Sequence, residues 1–525
     1  MSSDMDRRQF LGLGGIATVS AFGGMVLPKQ GPWVTPGDLV RVAARGKPGG
    51  VLSMAEADDP GTLDFLHSTL DILRHSIRSA VLDTLFHVGP DLKVTPGVAE
   101  SWALSSDAKT LTVTLRSNLK FHNGTPCTSA DVQYTVSWLK DPHNASPLAV
   151  MVANVEEVRQ VSPTVAHLHL SSPMPGIIAN LTQVPIFSEA TVETMKSHPI
   201  GLGPFRFAGY HSGQSITVTR NPDYYVPGLP LLDGITWPFI TNIQSSLEDL
   251  ISGNVLMVDD LAVQYVNQVQ RGSNTKIVKS APVNLYEVFQ INTKRKPFDD
   301  KRVRQALSYA MNRHAYVGAF WYGQAEATDT PFVSEMPSYL PGSAMQYSYD
   351  IAKTESLLKS AGFSRSHPLT VEILTPAGFS TLQAMALTLQ STLKAIGHDA
   401  TVTTLAEAPW IDRIATHPNF DITTDNYNTV PVDPSGIMNS DNYNPSDNIN
   451  QFDLPDYAHL VAAAASEANP ETRNALYQKI QRYLLDQQPC IIVDHYPVLI
   501  GASKKVGGLE ISPIGTYDYS RATVQ

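Results

Sequence analysis

The chain has 525 residues, of which 42% are hydrophobic and 17% charged, with a formal net charge of −11 at pH 7. That length exceeds what a single hydrophobic core sustains, so more than one domain is expected. The acidic balance, without a basic run, argues against a nucleic-acid partner. Two cysteines, Cys127 and Cys490, are too few for a disulfide framework.

In chain order, residues 1–44 read as an export signal and linker rather than fold. Arg7 and Arg8 form a twin-arginine motif ahead of an uncharged apolar segment, Leu11 to Leu27, whose five glycines oppose a stable cytoplasmic helix. The segment is shorter and less apolar than a membrane span, and no later uninterrupted apolar run follows. Val19-Ser20-Ala21 and Val42-Ala43-Ala44 both offer small residues suited to cleavage. The expected product lies in the periplasm.

A strand is predicted at Val51–Ala55, with a loop over Asp58–His67 behind it. Leu111 to Arg116 alternates apolar and polar with period two, the pattern of a half-buried strand. A strand end near Phe121, a turn at His122–Pro126 and a helix over Val132–Leu139 follow, with Thr128 or Ser129 as N-cap and Asp131 in the first turn. Val165–Leu170 and Ile216–Arg220 are further alternating strands. Asp299 or Asp300 is expected to cap one helix carrying Val303, Leu307, Ala310 and Val317 on a single face. A second helix, Ala352–Ala361, ends at Gly362. A third begins at Ser380 and stops at Gly397, between strands Leu369–Leu374 and Ala400–Thr404 in a βαβ-like order. Ser440–Gln451 reads as a long surface loop. Asn469-Pro470-Glu471 opens the last helix, and Cys490–Val493 is an apolar run suited to a strand buried on both faces.

One stretch says more. Phe121-His122-Asn123-Gly124-Thr125-Pro126-Cys127-Thr128-Ser129-Ala130-Asp131-Val132 resembles the signature of the family 5 solute-binding proteins of ABC importers. The likeness continues in order through Val94-Thr95-Pro96-Gly97-Val98-Ala99-Glu100-Ser101-Trp102, Gly201-Leu202-Gly203-Pro204-Phe205 and Arg220-Asn221-Pro222-Asp223-Tyr224. It resumes at Asn292 with Pro297-Phe298-Asp299-Asp300. The resemblance implies an α/β, two-lobed periplasmic binding protein with mixed sheets. The large first lobe would span 45–284 plus 496–525 and the second 285–495, with a ligand cleft at a two-strand hinge. It implies a monomeric receptor that captures a small organic solute (a peptide, an opine, a sugar-like compound or an apolar acid) and hands it to a permease and its ATPase subunits.

No G-x-S-x-G elbow, H-E-x-x-H, paired C-x-x-C or Walker loop is present, so no catalytic constellation and no cofactor are expected. A hydrolase on the same scaffold and a metal-chelate or haem receptor are the alternatives. His167 and His169 share a strand face but lack an evident third ligand, and no metal site is expected.

Family members that bind peptides carry an aromatic residue at a strand end and, further on, an Asp for the peptide's α-ammonium before an acidic residue and proline. Matching Asp433-Pro434 to that pair places Tyr427 on the aromatic and Val430 on the ammonium-binding position. A valine cannot pair a charge, and an unpaired ammonium in a closed cleft costs several kcal/mol. Asp425 is the substitute if the loop shifts. No basic residue occurs from Thr370 to Leu393 to meet a carboxylate. Free dipeptides are therefore expected to bind weakly. Tyr427 is the principal ligand-facing candidate, offering both ring and hydroxyl. Asn426, Asn428, Asp433, Trp410 and, from the first lobe, Phe65 complete the candidate set. Trp410 has core packing as its alternative role.

Overall fold

The computed structural model describes residues 48–280, 284–343, 345–429, 433–512 and 515–525. The twin-arginine segment, both cleavage sites and Val430 lie outside the described residues. The chain divides into two compact units. One holds Pro282–Ala464 with Glu471–Pro497; the other holds the described residues up to 280, with Ala465–Pro470 and Val498–Gln525.

The unit containing the N-terminal strand is built on a seven-stranded mixed sheet in the order Thr275–Lys279, Leu499–Ser503, Met257–Val258, Val51–Ala55, Gly234–Pro238, Ser215–Arg220, Phe205–His211. Val51–Ala55 runs parallel to both of its neighbours. A separate antiparallel sheet orders Ala99–Leu104, Thr110–Leu115, Val165–Leu170 and Val155–Ser162. Its period-two pattern is physical: Leu111, Val113 and Leu115 are buried, whereas the intervening threonines are half-buried.

The signature stretch folds on this sheet. The strand stops at Leu115, short of the expected end near Phe121, and Lys120 meets Pro126 only in an isolated bridge. Thr128 caps the helix Ser129–Lys140, and Asp131 returns a bond to the Thr128 N–H at 2.7 Å, completing a capping box. Val132, Val136 and Leu139 form its buried face. His122 joins the signature to the Gly201-Leu202-Gly203 block. Its ring accepts from the Gly201 N–H at 3.4 Å through Nδ1 and donates through Nε2 to the Gly203 carbonyl at 3.0 Å. Both glycines are needed there. A Cβ at Gly201 would stand 2.2 Å from the Val81 carbonyl oxygen, and one at Gly203 2.6 Å from that of Ala80.

The other unit carries a six-stranded sheet in the order Glu326–Ala327, Cys490–His495, Asn284–Ile291, Ile422–Thr429, Thr370–Pro376, Asp399–Leu405. The last two are parallel and joined through the helix Ser380–Ala395, which buries Leu382, Met385, Leu389 and Leu393. Gly362 and Gly397, at φ +98° and +88°, take the left-handed conformation that follows a helix end.

Two expectations are corrected. The single helix after Asp300 is two, Lys301–Ala310 and Arg313–Phe320, because Asn312 leaves helical geometry and caps the second through the Ala315 N–H at 3.1 Å. Val317 therefore belongs to a separate helix. The 440–451 segment is a surface loop only in its middle, where Ser446 and Asp447 are exposed: Ser440, Asn442 and Asn450 are fully buried, and Asn450 accepts from the Ile291 N–H at 2.8 Å. The Asn450 amide thereby satisfies a buried N–H at the end of a central strand, and Asn442 bonds the Gln290 and Tyr286 side chains. Both cysteines are buried free thiols, one in each unit.

Candidate functional site

The three central strands of the six-stranded sheet, Cys490–His495, Asn284–Ile291 and Ile422–Thr429, set the geometry. Antiparallel pairing puts Tyr286 opposite both Tyr427 and His495, and Glu287 opposite both Asn426 and Asp494. Directly paired residues share a sheet face, so the two rows lie on opposite faces.

On the first face Tyr427 stacks on Tyr286 at 5.8 Å between ring centroids. Its hydroxyl accepts from the Gln290 amide at 2.8 Å, which also donates to Asn442 Oδ1 at 3.0 Å. Asn442 donates in turn to the Tyr286 hydroxyl at 3.2 Å. Tyr427 is thus buried and engaged within its own unit. Two residues before it, on the same face, stands Asp425, opposite Val288. Its carboxylate accepts from the Asn426 N–H at 2.8 Å, and no described cation is paired with it. Desolvation, reinforced by Asp441, raises its pKa to about 8. A carboxyl group left partly accessible with no counter-charge is suited to receive a cation from a solute.

On the second face the Glu287 carboxylate accepts from the Tyr316 hydroxyl at 2.5 Å and the Trp321 indole at 3.1 Å. Asp494 Oδ1 accepts from the Glu287 N–H at 3.2 Å, and its side chain lies against that of Glu287. Burial raises the pKa of both carboxyl groups, and the neighbouring Glu287 raises that of Asp494 further. Beside them Trp321 stacks on Tyr496 at 4.6 Å. His495 is held neutral by burial, its pKa lowered to about 4.

The sequence candidates divide. Asn426, Tyr427 and Asn428 share one strand. Trp410 donates to the Thr423 hydroxyl at 2.8 Å and packs against Leu374, Ile414, Ala415 and Phe420, which is the core role. Asp433 is taken up internally: it caps Pro434–Met438 through the Ser435 N–H at 2.8 Å and forms a buried two-pronged ion pair with Arg473. Phe65 is buried in the other unit, in a short turn whose loop is anchored by Asp59. There the Asp59 carboxylate accepts from Tyr210 at 2.5 Å and from the N–H groups of Gly61 and Gly213 at 2.9 and 2.6 Å. Desolvation is the largest single influence, but these donors together outweigh it and hold its pKa at about 2.

Sequence reading missed Glu287, Gln290, Asn442 and Asp494. The available signal was a carboxylate and an amide inside the otherwise apolar strand Tyr286-Glu287-Val288-Phe289-Gln290-Ile291, since buried polar groups require partners.

A mixed seven-stranded sheet in one unit and a mixed six-stranded sheet in the other define the α/β architecture of the two-lobed periplasmic binding proteins. The structure of HbpA2 from Haemophilus parasuis superposes with a TM-score of 0.82 at 21% identity, covering 91% of this chain and 100% of that one. A DppA from Helicobacter pylori in complex with the peptide STSA superposes with a TM-score of 0.71 at 21% identity, covering 91% and 98%. Residues 93–448 match the model of the bacterial extracellular solute-binding proteins, family 5 Middle, and the chain belongs to that family. The glutathione-binding protein GsiB of Salmonella typhimurium is 26% identical over 478 residues, 87% of this chain and 91% of its own length. The protein is a substrate-binding subunit of an ABC importer and not an enzyme. No helix among the described residues is long and apolar enough to cross a membrane.

Proposed function

We propose that this protein is a monomeric periplasmic receptor for a peptide-like solute whose free amino group is held by Asp425. The observation that carries this reading is the Asp425 carboxyl, half-buried and, among the described residues, bonded only to its own neighbour's N–H and without a paired cation. Two relatives lend support: one is named for glutathione, and the Helicobacter structure holds a peptide. Asn426, next along the strand, lies on the opposite face of the sheet and is not part of this anchor. The Thr375–Phe379 loop has no cation for a solute carboxylate, so longer or C-terminally blocked compounds are favoured over free dipeptides.

Calorimetry with a panel of free, N-acetylated and C-amidated peptides tests this. Binding is expected for free amines and absent for the N-acetylated series, with Asp425→Asn weakening the amines about 30-fold or more. Because Asp425 is largely protonated at neutral pH, pairing with an ammonium releases a proton, and the binding enthalpy should vary with the buffer's ionisation enthalpy. Equal binding of acetylated and free peptides would dismiss the anchor.

Export through the twin-arginine route rests on Arg7 and Arg8. Changing both to Lys should leave the precursor in the cytoplasm, read by fractionation. Unaltered periplasmic accumulation would reject that route.

A further inference from the structure

In the unit that contains the N-terminal strand, Glu56, His75 and Asp259 bring one ligand atom each to within 4.8 Å of one another, and all three residues are buried. It is the only such grouping among the described residues. The sequence gives no hint of it, because the three come from remote segments. Glu56 follows the strand Val51–Ala55, Asp259 follows Met257–Val258, and His75 lies in a π-helical stretch, Arg74–Val81.

Three observations point to a ligand rather than to a closed polar cluster. First, the atoms face one another at ion-pair distance but without well-directed hydrogen bonds. His75 Nδ1 lies 2.5 Å from Asp259 Oδ2 and 3.6 Å from Glu56 Oε1. Even so, none of these three buried atoms has a properly directed hydrogen-bond partner. Buried polar atoms are ordinarily paired, and three orphans converging on one point describe a coordination shell better than a hydrogen-bond network. Second, the remaining carboxylate oxygen of Asp259 is oriented from behind. Oδ1 accepts from the Tyr517 hydroxyl at 2.5 Å and from the Asp260 N–H at 2.9 Å, leaving Oδ2 for the cluster. Outer hydrogen bonds of this kind fix ligating carboxylates in metal sites. Third, the backbone is prepared. Glu56 is tied to the Pro238 carbonyl at 3.0 Å and Asp259 to the Ala55 carbonyl at 3.2 Å. A π-helical stretch, which aims side chains off the regular helical rows, recurs at functional sites.

We infer that Glu56, His75 and Asp259 form a binding site for a divalent transition-metal ion of the Zn²⁺ or Mn²⁺ type, distinct from the solute anchor at Asp425. One imidazole with two carboxylates carries a formal charge of −2 when the ring is neutral, matching a dication, and its nitrogen–oxygen donor set suits these ions. Metal–ligand bonds of about 2.0–2.2 Å separate adjacent donors by roughly 3–3.5 Å. The His75–Glu56 spacing already fits; the His75–Asp259 spacing has to widen by less than about 1 Å, within reach of side-chain rotation. The inference stands independently of the solute proposed above.

The test uses the full exported protein, stripped with EDTA and returned to chelator-free buffer. Titration with ZnCl₂ and with MnCl₂ by calorimetry should show one saturable site. Co²⁺ should give visible absorption consistent with a nitrogen–oxygen ligand set. Glu56→Gln and Asp259→Asn should each weaken binding at least tenfold, and Tyr517→Phe should weaken it less. Glu56→Gln keeps size and polarity, so the test survives if Asp259→Asn fails to fold. His167→Ala should leave binding unchanged. No saturable binding would mean that the triad is only an imidazolium clamped by two carboxylates, and would overturn the inference. So would stoichiometric binding that persists in Glu56→Gln, or that is lost in His167→Ala.

Discussion

His122 is used through both ring nitrogens, one accepting from the Gly201 N–H and one donating to the Gly203 carbonyl. Only the neutral ring can do both, since an imidazolium has two donors and no acceptor. Burial agrees with this, lowering its pKa to about 4 from an ordinary 6.5. A group whose folded pKa is depressed contributes stability that is complete above the unfolded value and lost as pH falls through the folded one. His122 should therefore weaken the fold between about pH 6.5 and pH 4, by at most about 3 kcal/mol. His122→Gln should lower stability at pH 7.5 and flatten this part of the pH profile, read from urea denaturation of both proteins at several pH values. Parallel profiles for variant and parent would show that His122 does not titrate in this way. The same residue explains the signature physically: the histidine and the two glycines are one hydrogen-bonded, close-packed junction, which a linear motif records only as separate conserved-looking letters.

At the scale of elements, the helix Pro470–Gln487 is fastened to the short helix Pro434–Met438 by Arg473. The guanidinium grips both oxygens of Asp433, donates to the Ala464 carbonyl at 3.1 Å and packs over the Tyr477 ring. Arg473→Leu would leave the Asp433 charge buried and unpaired, a loss of about 3–5 kcal/mol, whereas removing both charges together should cost much less. Thermal denaturation of the two single variants and the double variant checks this; additive losses would show that the pair is not coupled. Strands and helices with strong periodicity were readable from sequence: Leu111 to Leu115 and Val165–Leu170 fall where alternation puts them, and Ser380–Ala395 follows its apolar face. The break at Asn312 was not readable, because the apolar spacing of Val303, Leu307 and Ala310 continues across it to Val317 while one capping side chain ends the helix. The 440–451 segment misled for a related reason. Its Asn and Ser content suits a solvated loop, and only tertiary structure shows the Asn450 amide closing a strand hydrogen bond while bonding back to the Asn442 carbonyl. The candidate site was legible as a strand, residues 426–428, but its chemistry was not. Which of Asp425, Tyr427 and Asp433 is free depends on Gln290 and Arg473, partners remote in sequence.

For the whole molecule, a receptor and an enzyme differ in how stability responds to the compound they recognise. A ligand that binds only the folded state stabilises it by an amount that grows with the logarithm of concentration, about 2.7 kcal/mol at 100 times the dissociation constant. An importer subunit holds its solute unchanged, so this stabilisation should persist for as long as protein and ligand are kept together. Thermal denaturation with increasing concentrations of an amine-bearing peptide should show a midpoint that rises without a plateau above saturation. Chromatography of the same samples should return the peptide intact. Asp425→Asn supplies the internal control. In the absence of ligand its stability should equal or exceed that of the parent at pH 8 and above, because a raised carboxyl pKa is a cost that grows as pH rises toward about 8. With peptide present, its midpoint should hardly move. A parent midpoint that rises and then drifts back as peptide is consumed would identify turnover and reject the receptor reading. A variant that loses stability without ligand would instead show that Asp425 is structural and that the amine is held elsewhere.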